Sequence, residues 1–438
     1  MPITRRLAQH RALTNHNREA PVGNLPMELL SEIFHMGLHE YRLDDHRVIE
    51  YLGAISSTCS VWRDAALGTP SLWQRIIYKD HSEDLYPKYK GPPISRHTKD
   101  RLLTYLSRSK GCSILLHLAF GTSPLRTQAI KRILHPHLPR CLSISLNFRF
   151  EYDVGNFLPL PGNLCRLTEF TCIARRGYWH ELHTRISPPP IFAEPERVSL
   201  RKLILNKSRP SVDGINTQNL EDFWLIRKWD EWPEGTTFIS RCHSLTTLIM
   251  SDEIPSSTGQ PLPSFTLPNL IYLDIFGLTM LTAAHTPNLQ TLILEVYDHE
   301  FASAVIQLPS WPVLTTLCFN NAKDSEEIRS LLGLNPHIRR LMLTECRGIQ
   351  DIIQSLKAED TALLPSLRLL QVFDPDWGDY HSLFAHRPTL RIEYGLRCGP
   401  SYIGADELKA TVEELGHDGE PGVFQLSDFG PGRCGVVG

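Results

Sequence analysis

What the chain lacks narrows its function first. Its 438 residues show no convincing catalytic arrangement, no long apolar run and no strong charge of either sign. Ten cysteines are scattered without one Cys-x-x-Cys pair, so metal-knuckle and redox motifs are unsupported, and buried thiols in a reducing compartment are expected instead. A formal charge of −3 gives no global field for nucleic acid or an anionic membrane. The longest apolar run, around Cys112–Phe120, is too short to cross a bilayer. No cofactor, metal, nucleic-acid or membrane partner is expected.

Isolated motifs do not change this. Gly430-x-Gly432-x-x-Gly435 matches a dinucleotide fingerprint in form, but no strand precedes it and no helix has room to follow. Cys434 lies one residue too far from the end for a prenylation box. Gly121-Thr122-Ser123 lacks the second glycine of a nucleophile elbow. His135 and His137, or His381 and His386, read as loop residues rather than ligands. Residues 1–23, with Arg5, Arg6, Arg11 and Arg18 and no acid before Glu19, read as a disordered basic leader.

What is present begins at Asn24-Leu25-Pro26-Met27-Glu28-Leu29-Leu30-Ser31-Glu32-Ile33-Phe34. Asn24 suits an N-cap, Pro26 a first turn, and Glu28 the positive end of a helix. Pro26, Leu29, Leu30, Ile33 and Phe34 recur at helical spacing, which predicts a helix over about 26–36 with one apolar stripe. A polar stretch, His39 to Glu50, interrupts the pattern. Leu52, Ile55, Cys59, Trp62 and Ala66 then resume it, and Gly68 with Pro70 supplies a stop.

Residues 24–78 resemble an F-box, in particular the F-box-like modules of a large family in mushroom-forming fungi. Leu25, Pro26, Glu28, Leu29, Leu30, Glu32, Ile33 and Phe34 carry the first part of that pattern. Cys59, Trp62, Arg63, Ala66, Thr69, Pro70, Leu72 and Trp73 carry the second. The resemblance implies that the module docks a Skp-type adaptor and, through it, a cullin–RING ubiquitin ligase. It also implies an adaptor-facing surface contributed by Leu25, Pro26, Leu29, Ile33, Val61 and Trp62. The alternative for Leu29, Ile33, Cys59 and Trp62 is that they pack one helix on another.

A second pattern fills residues 198–372, where leucine-x-x-leucine-x-leucine recurs with aliphatic or aromatic substitutions. Its copies are Leu200/Leu203/Leu205, Leu220/Phe223/Leu225, Leu245/Leu248/Met250, Leu270/Leu273/Ile275, Leu289/Leu292/Leu294, Leu314/Leu317/Phe319, Ile338/Leu341/Leu343 and Leu367/Leu370/Val372. Successive copies start 20, 25, 25, 19, 25, 24 and 29 residues apart, which brackets the leucine-rich-repeat period. Pro268, Pro287, Pro312, Pro336 and Pro365 suggest a turn feeding five of them. The asparagine usual three residues past the last leucine is missing, and only Cys346 offers a residue of that kind. Cys112–Phe120, Leu142–Phe148 and Leu164–Cys172 read as earlier strands, with a helix at about 124–135.

The expected fold is therefore a small all-α F-box-like module followed by an irregular α/β leucine-rich-repeat solenoid. Its expected layout is a leader (1–23), the F-box-like domain (24–78), a linker (79–99), the solenoid (100–400), and a capping helix with a flexible tail (401–438). Side chains alternating with the core leucines should line the concave face. Trp224, Tyr272, Asp274, Phe276, Glu295, Arg340 and Met342 are the candidate client-binding residues there, with Lys202, Asp222 and Phe373 beside them. The segment Trp224–Trp232 stands out for its three tryptophans. These features point to a non-catalytic substrate receptor of a Skp–cullin–F-box ubiquitin ligase, holding an unknown protein client in the cytoplasm and/or nucleus. A non-degradative scaffold is the nearest alternative, and an enzyme whose site is assembled from distant residues the next.

Overall fold

The structure, a computed structural model, describes residues 25–41, 46–80, 94–121, 123–150, 154–161, 163–176, 190–206, 211–226, 235–250, 264–276, 279–295, 308–322, 325–344, 346–357, 363–373, 383, 387 and 389–394. The leader, the capping helix and tail, the Asn24 cap and most of the tryptophan-rich segment lie outside them.

The chain opens with three helices, α1 (Met27–His39), α2 (Arg47–Thr58) and α3 (Ser60–Gly68), and a 3-10 turn over Pro70–Trp73. The uninterrupted apolar spacing from Leu52 to Ala66 hides a break at Cys59. That residue is extended, and its sulfur accepts the Trp62 N–H at 3.5 Å as the cap of α3. The polar stretch expected to interrupt the helices is helical at both its ends, since α1 runs to His39 and α2 begins at Arg47. Leu30, Phe34 and Leu38 of α1 meet Val48, Leu52 and Ile55 of α2, with Ala65, Ala66, Leu72 and Trp73 closing the core. The Trp73 indole N–H is satisfied inside it by the Ala66 carbonyl at 2.8 Å. Arg75 caps the exit of α1 by donating to the carbonyls of Leu38 and Tyr41.

The rest is a mostly parallel α/β region. Its strands are β1 (Arg75–Lys79), β2 (Ile114–Phe120), β3 (Cys141–Phe150), β4 (Glu169–Arg176), β5 (Lys202–Asn206), β6 (Asp222–Ile226) and β7 (Thr247–Met250). They continue as β8 (Tyr272–Phe276), β9 (Thr291–Glu295), β10 (Thr316–Asn320), β11 (Arg340–Thr344), β12 (Leu369–Phe373) and β13 (Arg391–Tyr394). These thirteen strands form one sheet in chain order, each strand parallel to the next. A parallel neighbour requires a crossover, and in a parallel sheet laid in chain order right-handed crossovers fall on one face. There α4 (Arg96–Arg108), α5 (Pro124–Leu134), α6 (Ser325–Leu334) and α7 (Ile349–Lys357) bury Leu102, Ile130, Ile328 and Ile352 in a core continuous from Ile76 to Leu390.

All eight leucine phrases fall on strands β5 to β12 in the same way. The first residue sits in the feeding turn and the other two on the core face, and no residue of any triplet is more than 8% exposed. Register is locked by a backbone device repeated between strands. The Glu221 carbonyl accepts the N–H groups of both Thr246 and Thr247 (2.8 and 3.0 Å), and Thr246 does the same for Ile271 and Tyr272 (2.9 and 3.0 Å). The asparagine absent after the strand is found before it. Asn219, Asn269 and Asn288 donate from the feeding turns to Ser199 Oγ and to the His243 and Pro268 carbonyls at 2.7–2.9 Å. Cys346, the one residue of the expected kind, reaches the Phe319 carbonyl at 3.5 Å.

Two expectations change at the N-terminal end of the sheet. β1 is a strand where the helical module was expected to end, and Lys79 belongs to it. The end of the supposed linker is helical, with Ser95 Oγ capping α4 through the Thr98 N–H at 3.1 Å; residues 81–93 lie outside those described. β1 alternates between two cores: Ile77 packs with the helices, and Ile76 and Tyr78 pack under the sheet. At the other end, β13 is a strand for which no sequence signal had been recognised.

Candidate protein-docking surfaces

The first surface is built on α1. Helical geometry places Leu30, Phe34 and Leu38 on one side, and these are buried. Turned about a third of a circle away stand Leu29 (51% exposed), Ile33 (40%) and Met36 (62%), with Pro26 exposed at the start of the same stripe. Half-buried Trp62 flanks it, its ring edge against Phe34 at 5.2 Å between centroids, and half-buried Leu25 and Val61 pack on the helical core. The six residues assigned to adaptor contact therefore divide: Pro26, Leu29 and Ile33 point outward, whereas Leu25, Val61 and Trp62 serve partly as core. Met36 belongs to the outward stripe and was missed, although its spacing from Leu29 and Ile33 (i, i+4, i+7) was available as a signal.

His35 and His39 stand four residues apart on α1, a spacing that suits a metal and that the sequence reading passed over. His35 Nε2 instead lies 2.8 Å from Ser71 Oγ, tying α1 to the 3-10 turn. Burial holds its ring below the ordinary histidine range. Among the described residues no cluster of three His, Cys, Asp or Glu side chains is placed to hold a metal. None of the eight described cysteines is in a disulfide, and five of them are buried.

These helices match a known pattern. Residues 22–79 fit the family model described as F-box-like. The N-terminal segment is an F-box-like domain. That domain supports a general F-box adaptor role. No curated protein matches the chain. The F-box-like match ends at β1, so its last strand is also the first strand of the sheet.

The second surface is the face of the sheet opposite the crossovers. Strand alternation brings every candidate client residue to it. The central file, one residue per strand from β5 to β11, reads Ile204, Trp224, Ile249, Asp274, Ile293, Cys318 and Met342. It corresponds to the residue between the last two leucines of each phrase, a position the sequence displays but whose apolar continuity went unread. Ile293, Cys318 and Met342 form a small second core with Tyr272 against it. Arg340 is buried beside them, its Nε donating to Gln371 Oε1 at 3.1 Å. Arg340 and Met342 thus share the expected face but lack the open side chains expected of contact residues.

Trp224, Tyr272, Asp274, Phe276 and Glu295 are only partly covered. The Lys202 ammonium stacks on the Trp224 ring, 4.7 Å from its centroid. The Trp224 indole N–H and the Tyr272 hydroxyl are sealed from solvent with no hydrogen-bond partner among the described residues. Asp274 is the sole charge in the central file, in register with Ile249 and Ile293, which are 6% and 3% exposed. Its surroundings crowd out water, although its surface is not fully closed. That burial, with Glu295 adding like charge, raises its carboxyl to about 7. The Tyr272 phenol is raised as well, first by burial and then by Asp274. The Phe373 side chain lies outside the described residues.

An open hollow on α4 is lined by Asp100, Leu103, Thr104, Ser107 and Arg108. Among the described residues no helix is long and apolar enough to cross a membrane.

Proposed function

We propose that this chain is the substrate-recognition subunit of a Skp–cullin–F-box ubiquitin ligase. The observation that carries the reading is the outward stripe of Leu29, Ile33 and Met36 on an F-box-like domain whose own core is already complete. Exposed side chains of that size in a row are what a docking helix presents to a partner. The F-box-like domain takes the Skp-type adaptor and, through it, the cullin–RING machinery.

The sheet then acts as the client receptor. We read it as an irregular leucine-rich-repeat solenoid, of the kind that accompanies F-box-like modules in the fungal family. The regular phrase positions, the chain-order parallel sheet and the crossovers on one face support that reading. We keep the expected order of helical module, then solenoid, and place the border between them in β1. The protein supplies proximity rather than chemistry, raising the client's effective concentration beside the ubiquitin-charged enzyme.

The test is co-purification of a Skp-type adaptor with the tagged full chain. Wild type should retain the adaptor, and Leu29→Asp/Ile33→Asp should lose it while keeping the wild-type circular dichroism spectrum. Wild type that retains no adaptor removes the reading's main support.

A further inference from the structure

We propose that the sheet face around Asp274 is a seat for a cationic side chain, a lysine or arginine of the client protein. This rests on the receptor reading above and adds the chemistry of what is received.

The central file of this face is apolar from β5 to β11 except at one position. At that position a carboxylate stands between two buried isoleucines, Ile249 and Ile293, and no hydrogen bond from the described residues satisfies it. Nothing in the packing of the sheet requires an acid there. The equivalent residues on neighbouring strands are isoleucine, and a carboxylate desolvated by its surroundings without a donor opposes folding. Asp274 is therefore a group prepared for something outside the fold.

Its neighbours define what fits. Tyr272 and Phe276 lie two residues before and after it on the same strand and the same face, so an aromatic residue flanks it on each side. Glu295 on the next strand adds a second carboxylate diagonal to it. Aromatic rings around a negative charge, with apolar walls across the strands, complement a cation on an aliphatic stem. The face already shows that chemistry once, where Lys202 of β5 lies over the Trp224 ring. The burial that holds the Asp274 proton to about 7 shows how much a bound cation would relieve.

The test uses the folded full chain and a display library of random 12-residue peptides. Peptides are selected on wild type and depleted on Asp274→Asn. The surviving pool should be enriched in lysine and arginine over the input. Individual peptides should bind Asp274→Asn roughly tenfold or more weakly. Replacing the key lysine by norleucine should cause a comparable loss, and Asp274→Glu should recover part of the affinity. A pool without cationic enrichment, or peptides indifferent to Asp274→Asn, overturns the proposal. If such peptides are nonetheless lost on Trp224→Ala, the receptor face stands and only its cation preference falls. An empty selection overturns the cation seat, while adaptor co-purification still decides the F-box reading independently.

Discussion

Replacing Asp274 by asparagine should make the free protein more stable, and the gain should depend on pH in a defined window. The Asp274 carboxyl is raised from 3.8 to about 7, first by burial and second by Glu295. A raised carboxylate contributes fully below its unfolded pKa, where both states hold the proton. Its contribution then declines as pH climbs toward the folded value, because only the unfolded chain ionises in between. Each pH unit in that window is ~1.4 kcal/mol, so full displacement from 3.8 to about 7 corresponds to about 4 kcal/mol. Residual solvent contact at the carboxyl screens this to about 2 kcal/mol. The titratable groups acting on or coupled to Asp274 are Glu295 on β9 and Tyr272 on its own strand, and neither supplies a positive charge. Asparagine keeps the shape and removes the titration. The assay is urea unfolding of wild type and Asp274→Asn from pH 4 to pH 8. The advantage of asparagine should grow between about pH 4 and pH 7 and level off above, by about 2 kcal/mol in all. A difference independent of pH, or a variant that loses stability throughout, would refute the reasoning, since it would mean that Asp274 is held by a partner within the fold.

Two further outcomes follow from the packing. Leu30 and Leu29 are adjacent in sequence but face opposite environments, so Leu30→Ala should cost about 2–5 kcal/mol in chemical denaturation whereas Leu29→Ala should stay within about 0.5 kcal/mol. Asn335 is buried between the Trp311 N–H, which it accepts at 2.9 Å, and the Leu331 carbonyl, to which it donates. Asn335→Ala should therefore lower stability by about 1–3 kcal/mol, and Asn335→Asp should not restore it, because the carboxylate cannot donate to Leu331.

The repeating part of the fold was legible because each strand restates the same constraint. A leucine or another large apolar residue at three fixed positions appears eight times, and the period alone identifies strand, turn and core face. Where a feature occurs once, the sequence was a weaker guide. The apolar spacing from Leu52 to Ala66 runs through Cys59 unbroken, because a helix–helix joint made by one extended residue leaves the side-chain count intact. The stripe on α1 was found, but spacing could not divide Leu29 and Ile33 from Leu30 and Phe34, since neighbouring angles on a narrow helix differ less than the width of an apolar face. β1 was read as the end of the helical module because its partner, β2, is 35 residues away from its end in sequence and announces no pairing. Asp274 was named among the face residues. Its isolation was not, because that emerges only when seven strands are laid in register.

The double allegiance of β1 also fixes a geometry. Adjacent residues of one five-residue strand, Ile76 and Ile77, are rooted in different cores. Beside them the Trp73 ring bears edge-on against Tyr105 of α4 at 5.1 Å and lies beneath Arg108 at 4.4 Å. The helical module cannot swing about the sheet without breaking a strand pairing and opening both cores. In a ligase, the bearing from adaptor to client would therefore be set by this joint rather than by residues 81–93. Lengthening or shortening that segment should leave the bearing unchanged, whereas a single proline in β1 would release it.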